Sequence, residues 1–212
     1  MNEVDRNIDG VAETISEVPE KKKYSIDYYQ REYKWVAKQL AELVSDLTGK
    51  FLAVDQPDHA PKYPGYYLGS IIISEKGSQP FVVDGQQRLT SLTLFLTYLR
   101  RLQEDRDEVV SVDELIYSEK FGEKSFNLDV PDRNDCMEAL FEHGASDAPA
   151  DAPEFVHTLV ARYSDLDGLF PDELKERQFK AADLVESGEL YRTIAKRIWN
   201  LDDLLEVAKG VA

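Results

Sequence analysis

VVDGQQRLTSL, residues 82–92, decides how this chain is read. Two valines close a strand signal, Asp84-Gly85 makes a turn, and the spacing then becomes helical. Asp84 followed by Gln87 has the spacing of a capping box. It predicts that the Asp84 carboxylate accepts from an early helical N–H while Gln87 reaches back. Gly85 permits a tight turn. A helix N-terminus offers N–H groups and the positive end of the dipole, which suits an anion. Arg88, in the first turn, opposes that dipole unless an anion is present. The two glutamines supply both donors and acceptors. On spacing alone two readings stand: a phosphate seat, or a well-capped helix with a surface arginine.

Outward from this stretch the pattern is α+β. PFVV (80–83) is a strand, and YYLGSIIIS (66–74) is its hairpin partner across the turn EKGSQ. RLTSLTLFLTYLRRL (88–102) is a long apolar helix with Leu89, Leu92, Leu96 and Leu99 on one stripe and Phe95 beside it. Upstream, Trp35, Val36, Leu40, Leu43, Val44, Leu47 and Phe51 fall at helical spacing, so 35–49 reads as an amphipathic helix ending near Gly49. KKKYSIDYY contains a short strand, and residues 54–65, with three prolines, are loop. Beyond 105 the character is helical and acidic. SFNLDV is a short strand there, Arg133–Glu142 a helix, ASDAPADAP (145–153) a linker, and FVHTLVARYSDLDGLF and ELYRTIAKRIWNLDDLLEVAKG two further helices. Tyr191, Ile194, Ile198 and Trp199 recur at helical spacing and read as core.

The chain has 212 residues, 42% of them hydrophobic, enough to bury a substantial core. The formal charge of −16 is unevenly spread: 12 Lys/Arg face 8 Asp/Glu over 21–101, while 1–20 and 102–212 are strongly acidic. A phosphate-bearing partner is therefore expected on the middle segment. The acidic excess also serves solubility. Three units follow: an acidic lead-in (1–20), a mildly basic domain (21–105) and a mostly helical acidic extension (106–212). Cys136 is the single cysteine, which excludes an internal disulfide and a cysteine-built zinc site and points to a reducing cytoplasm. No apolar run is long enough for a membrane span, and none has the form of a signal peptide.

YYQREYKW, residues 28–35, sets aromatics beside Arg31 and Lys34. Such side chains stack bases and grip phosphates, and they also build ordinary strands and cores. No GxxxxGK[ST] occurs, which excludes a P-loop NTPase. Asp58 and His59 lie in a Pro-rich segment and read as solvated loop, and the EDRDE run (104–108) as a solvated helix end. No metal site is expected from protein ligands.

YQREYKW, YYLGSIII and VVDGQQRLTSL, in that order over residues 24–102, resemble the DGQQR domains of GmrSD-type, modification-dependent (type IV) restriction enzymes and related phage-defence proteins. FNLDVPDRNDCMEALFEHG is similar to the segment that follows in that family. This sequence departs from the pattern before Tyr-Gln-Arg, where Asp27 or Tyr28 replaces a proline. The resemblance implies a ParB/sulfiredoxin-like nucleotide-binding fold and hydrolysis of GTP or another NTP with Mg²⁺, coupled to restriction of modified double-stranded DNA. Carried over by position, it implies catalytic roles for Asp84, Gln86, Gln87 and Arg88. It implies nucleotide contacts from Gly85, Arg88, Gln30 and Arg31. Sensing of the DNA modification falls to Tyr29, Gln30, Arg31, Tyr33 and Trp35. A phosphorothioate-sensing, SspE-like branch is favoured over sensing of glucosylated bases, and Tyr28, Tyr29, Tyr33 and Arg31 suit a soft, weakly hydrated sulfur. The nuclease is expected in a C-terminal domain or separate subunit, since His59, His143 and His157 lack the paired His and Asn of a ββα-metal nuclease. The rival expectation is a non-catalytic DNA- or protein-binding module on the same scaffold.

Overall fold

The computed structural model describes residues 23–26, 32–52, 68–76, 79–104, 112–120, 123–144, 147–172, 174 and 175. The acidic lead-in, the loop 54–65 with Asp58 and His59, Tyr28 to Arg31, the run 105–108 and the last expected helix lie outside the described residues.

Strand β1 (Tyr24–Ile26) precedes helix α1 (Ala37–Leu52), then β2 (Ile72–Lys76), β3 (Gln79–Asp84) and helix α2 (Gln86–Arg101). A one-turn helix α3 (Asp113–Ile116) leads into β4 (Tyr117–Lys120) and β5 (Glu123–Phe126), followed by β6 (Leu128–Asp129), α4 (Pro131–His143) and α5 (Glu154–Leu169). The fold is thus α+β. β2 and β3 form the expected antiparallel hairpin, with Ile73 opposite Val82 and Ser74 opposite Phe81. The sheet runs β2-β3-β1-β6, and β1 is parallel to both β3 and β6. Parallel strands share one C-terminal edge, so Ile26, Asp84 and Asp129 end at one rim. Helices α2 and α4 start there, immediately after β3 and β6.

Three readings change. β2 begins at Ile72, where a strand over 66–74 was expected, and takes in Glu75 and Lys76 from the expected turn. β4 and β5 pair as an antiparallel hairpin in a stretch read as helical up to Lys124. SFNLDV is also not one strand. Asn127 breaks it by donating from its Nδ2 to the Glu114 carbonyl and from its backbone N–H to the Ile116 carbonyl, both at 2.9 Å. β5 therefore pairs in the hairpin and β6 in the main sheet.

Tyr24, Ile26 and Val82 share one sheet face and pack with Leu89 of α2 and Val130. The larger core surrounds α2, which is buried along nearly its whole length from Leu89 to Leu99. Its polar residues are accommodated because Thr90, Ser91, Thr93 and Thr97 each donate to the carbonyl one turn back. That core takes Leu40, Leu43, Val44 and Leu47 from α1, Phe126, Met137 and Leu140 from the β5–α4 region, and Leu159, Tyr163 and Leu166 from α5. The acidic segment after 105 therefore shares one core with the preceding segment and adds the fourth strand to its sheet. No described helix is long and apolar enough to cross a membrane.

Candidate functional site

The sequence DGQQR folds at the rim. Asp84 is the last residue of β3, exposed, with its backbone opposite Ile72. Gly85 is the N-cap of α2 at φ +93°, the left-handed region that favours glycine. A side chain there would also put its Cβ 3.1 Å from Ile71 Cγ1. No side chain caps the helix, so the expected capping box is not formed. Asp84 is held one residue too early by its strand.

Gln87, freed from capping, makes a different contact. Its Nε2 donates to the Glu32 carbonyl at 2.7 Å, and its Oε1 accepts from the Lys34 backbone N–H at 2.8 Å. One residue on, the Tyr33 hydroxyl bonds the Ser91 hydroxyl at 2.7 Å. The first two turns of α2 thus clamp residues 32–34, directly after the Tyr-Gln-Arg segment. Gln87, expected among the catalytic groups, is engaged at both ends as a clamp. Tyr33, expected to sense DNA, is only 1% exposed, and burial pushes its phenol up to about 12. It is an internal strut with no ring face open to DNA. Trp35 is half-buried against the core. Glu32 and Lys34 pair at 2.7 Å, which lowers the carboxylate and raises the ammonium through their mutual hydrogen bond. Tyr29, Gln30 and Arg31 lie outside the described residues.

Arg88 is half-buried rather than solvent-facing. Its Nη1 donates to the Ser70 carbonyl at 3.1 Å, and its guanidinium lies over Gly69. A Cβ on Gly69 would stand 2.9 Å from Nη1, and Gly69 is itself at φ +93°. The Leu68-Gly69-Ser70 stretch is therefore the saddle that fixes Arg88. Gln86 is also half-buried in the first turn.

The second strand-to-helix turn, Val130 to Asn134, stands on the same rim. Asn134 Nδ2 donates to Asp129 Oδ1 at 2.9 Å, and Lys23 pairs with Asp129 Oδ2 at 2.9 Å. Arg133 is 2% exposed; its Nη1 donates to Thr90 Oγ1 at 3.0 Å, and Thr90 donates to the Gln86 carbonyl at 2.8 Å. Among the described residues its Nε and Nη2 have no partner. Sequence reading missed Arg133, Gly69 and the Gln87 clamp. Only the polar run PDRND marked the first.

No group of three or more potential metal ligands occurs among the described residues. An open groove of about 570 Å³ lies between α1 and α5, lined by Ala37, Lys38, Ala41, Ser164 and Gly168 and by none of the DGQQR residues.

A sequence model for the GmrSD restriction endonuclease N-terminal domain matches residues 14–205 of this chain. Comparison with curated proteins finds no match.

Proposed function

Because the chain belongs to the family of GmrSD restriction endonuclease N-terminal domains, we propose that its rim hydrolyses a nucleoside triphosphate and couples that hydrolysis to recognition of modified DNA. The coarse role follows from the family: a restriction enzyme's domain, acting in phage defence alongside DNA and a nuclease domain.

The observation that carries the finer reading is the convergence of two strand-to-helix turns at the C-terminal edge of three parallel strands. Ligands of parallel sheets sit in the crevice beyond that edge. The uncapped N-terminus of α2 presents N–H groups and dipole to the phosphates. Arg88, held on its saddle by one N–H, would offer its other donors to them. Asp84, exposed at the rim, is the carboxylate that would hold Mg²⁺. One carboxylate suffices, because Mg²⁺ is commonly shared with substrate phosphates. Bound there, Mg²⁺ would supply positive charge to offset that on the transferred phosphoryl group. Gln86, in the same first turn, would lie beside the phosphates, and Gln87 positions the 32–34 segment. A ParB/sulfiredoxin-like ancestry suits this layout, with GTP the favoured nucleotide.

Tyr29, Gln30 and Arg31 lead directly into the clamped residues, so an event at that segment reaches Gln87 by covalent continuity and two hydrogen bonds. We assign them to the modified DNA, with phosphorothioate the favoured modification. The test is Tyr29→Ala, with melting temperature and hydrolysis rates, with and without modified DNA, measured on the same sample. The proposal expects stimulation to vanish with part of the basal rate kept. A melting temperature lowered by several degrees, with both rates falling together, assigns Tyr29 to the core instead.

A further inference from the structure

Arg133 is a charge the fold has not neutralised. It lies between α4 and α2, 2% exposed, and among the described residues it has one hydrogen bond, to a neutral hydroxyl, and two nitrogens without a partner. No described carboxylate forms an ion pair with it. Asp132 beside it is exposed and supports the charge through space without forming an ion pair with it. Asp129 is taken by Lys23 and Asn134. The neighbouring Tyr33 phenol is uncharged at neutral pH, being pushed up to about 12. Burial lowers the guanidinium to about 10, still charged at neutral pH. Removing one partner from a buried charge, or never supplying one, is strongly unfavourable. A chain that keeps such a group gains something from the charge itself.

Its position says what. Arg133 is the third residue of α4, and α4 and α2 both begin at the rim. Through Thr90 the guanidinium is two hydrogen bonds from the Gln86 carbonyl, in the first turn of α2. Two helix N-termini and one uncompensated cation thus bear on one edge of the sheet. In a poorly polarisable interior such a charge acts at a distance that water would screen.

We propose that Arg133 is the buried part of a polyphosphate seat spanning both turns: a fixed positive charge that raises the affinity of the rim for a multiply charged phosphate ligand without touching it. This rests on the nucleotide reading of the rim and extends the site from Asp84–Arg88 onto Val130–Arg133. Arg133 is a positioning residue by this account. The ligand's charge offsets the cost of burying the guanidinium, so apo stability and ligand affinity must trade against each other.

The experiment compares the parent chain with Arg133→Met and Arg133→Lys. Melting temperatures are read alone and with inorganic tripolyphosphate or GTP and Mg²⁺, and dissociation constants are taken by calorimetry. Arg133→Met is expected to melt at or above the parent temperature without ligand, since an apolar chain replaces an unpaired charge. It should bind tripolyphosphate and GTP on the order of tenfold to a hundredfold more weakly. Arg133→Lys should recover most of that loss. Parent-like affinity in Arg133→Met overturns the inference while leaving the nucleotide reading intact. An Arg133→Met chain that melts lower or does not fold also overturns it, because the guanidinium is then structural. A parent chain that binds neither tripolyphosphate nor GTP removes the nucleotide reading and this inference with it.

Discussion

The turns after β3 and β6 stand side by side on one rim and solve the same connection in opposite ways. The first, Asp84 to Arg88, uses a glycine in the left-handed region as N-cap and keeps its arginine near the surface, steadied by the Ser70 carbonyl. The second, Val130 to Asn134, starts its helix with Pro131 and sends its arginine inside, where it reaches Thr90 and little else. An arginine at the third position of a helix can thus lie near the surface or be buried. What decides is whether a neighbouring element lies over it. The β3 turn is covered by the Leu68–Ile71 segment only enough to hold Arg88, whereas α4 faces the long buried helix.

The comparison breaks most sharply at Arg88. Arg88→Ala is expected to lower NTP hydrolysis by at least about a hundredfold, the usual cost of losing one charged donor at a developing phosphate charge. Folding should hardly change, since only the Ser70 bond is lost. Phosphate release at equal folded concentration measures it, and wild-type turnover removes Arg88 from the site.

Next in size is the saddle. Gly69→Val forces a β-branched residue into positive φ and drives its Cβ into the Arg88 guanidinium. The strain alone is worth about 1–3 kcal/mol. Thermal unfolding should therefore fall by several degrees, and hydrolysis should fall with the displaced arginine. A variant of parental stability and rate contradicts the saddle.

Gln87→Ala sharpens the difference between contact and clamp. Two hydrogen bonds to residues 32–34 disappear, costing about 1–3 kcal/mol. DNA stimulation should fall more than the basal rate, as read by phosphate release with and without modified DNA. Equal losses return Gln87 to the catalytic set.

The smallest effect is in alkali. Tyr33 and Tyr163 are pushed up to about 12 and the Cys136 thiol to about 11, each by burial. Folded chains hold these protons more tightly than unfolded ones, so this stability is complete below about pH 9 and is lost as the pH rises towards 12. Arg133 has the opposite sign, its folded value being lowered to about 10, so its burial penalty eases above that pH. Tyr33→Phe should flatten the alkaline decline in a chemical-denaturation series, at a cost near pH 7 of about 1 kcal/mol for the lost Ser91 bond. An unchanged alkaline slope contradicts a buried, proton-holding Tyr33.

The elements written in short-range periodicity were legible. The β2–β3 hairpin, α1, α2, α4 and α5 follow from alternation, apolar stripes and turn residues. What depended on distant partners was not. Asp84 and Gln87 have capping-box spacing, yet β3 keeps Asp84 in the sheet and Gln87 meets backbone more than fifty residues away. In YYQREYKW the aromatics read equally as stacking groups or as core, and only the fold shows that Tyr33 belongs to the core. Arg133 is read only as the first residue of a helix, and nothing local says that α2 covers it. The β4–β5 hairpin was hidden because its two segments, YSEK and EKSF, are rich in charge and show no apolar alternation.

Nucleotide hydrolysis at the rim under control of modified DNA is read by release of inorganic phosphate from GTP and Mg²⁺ by this chain, alone and with unmodified, phosphorothioate-bearing or glucosylated duplex. A measurable basal rate is expected, stimulated by the phosphorothioate duplex and not by the unmodified one. Tight binding of GTP with no phosphate released under any of these conditions contradicts it and leaves a binding module in place of an enzyme.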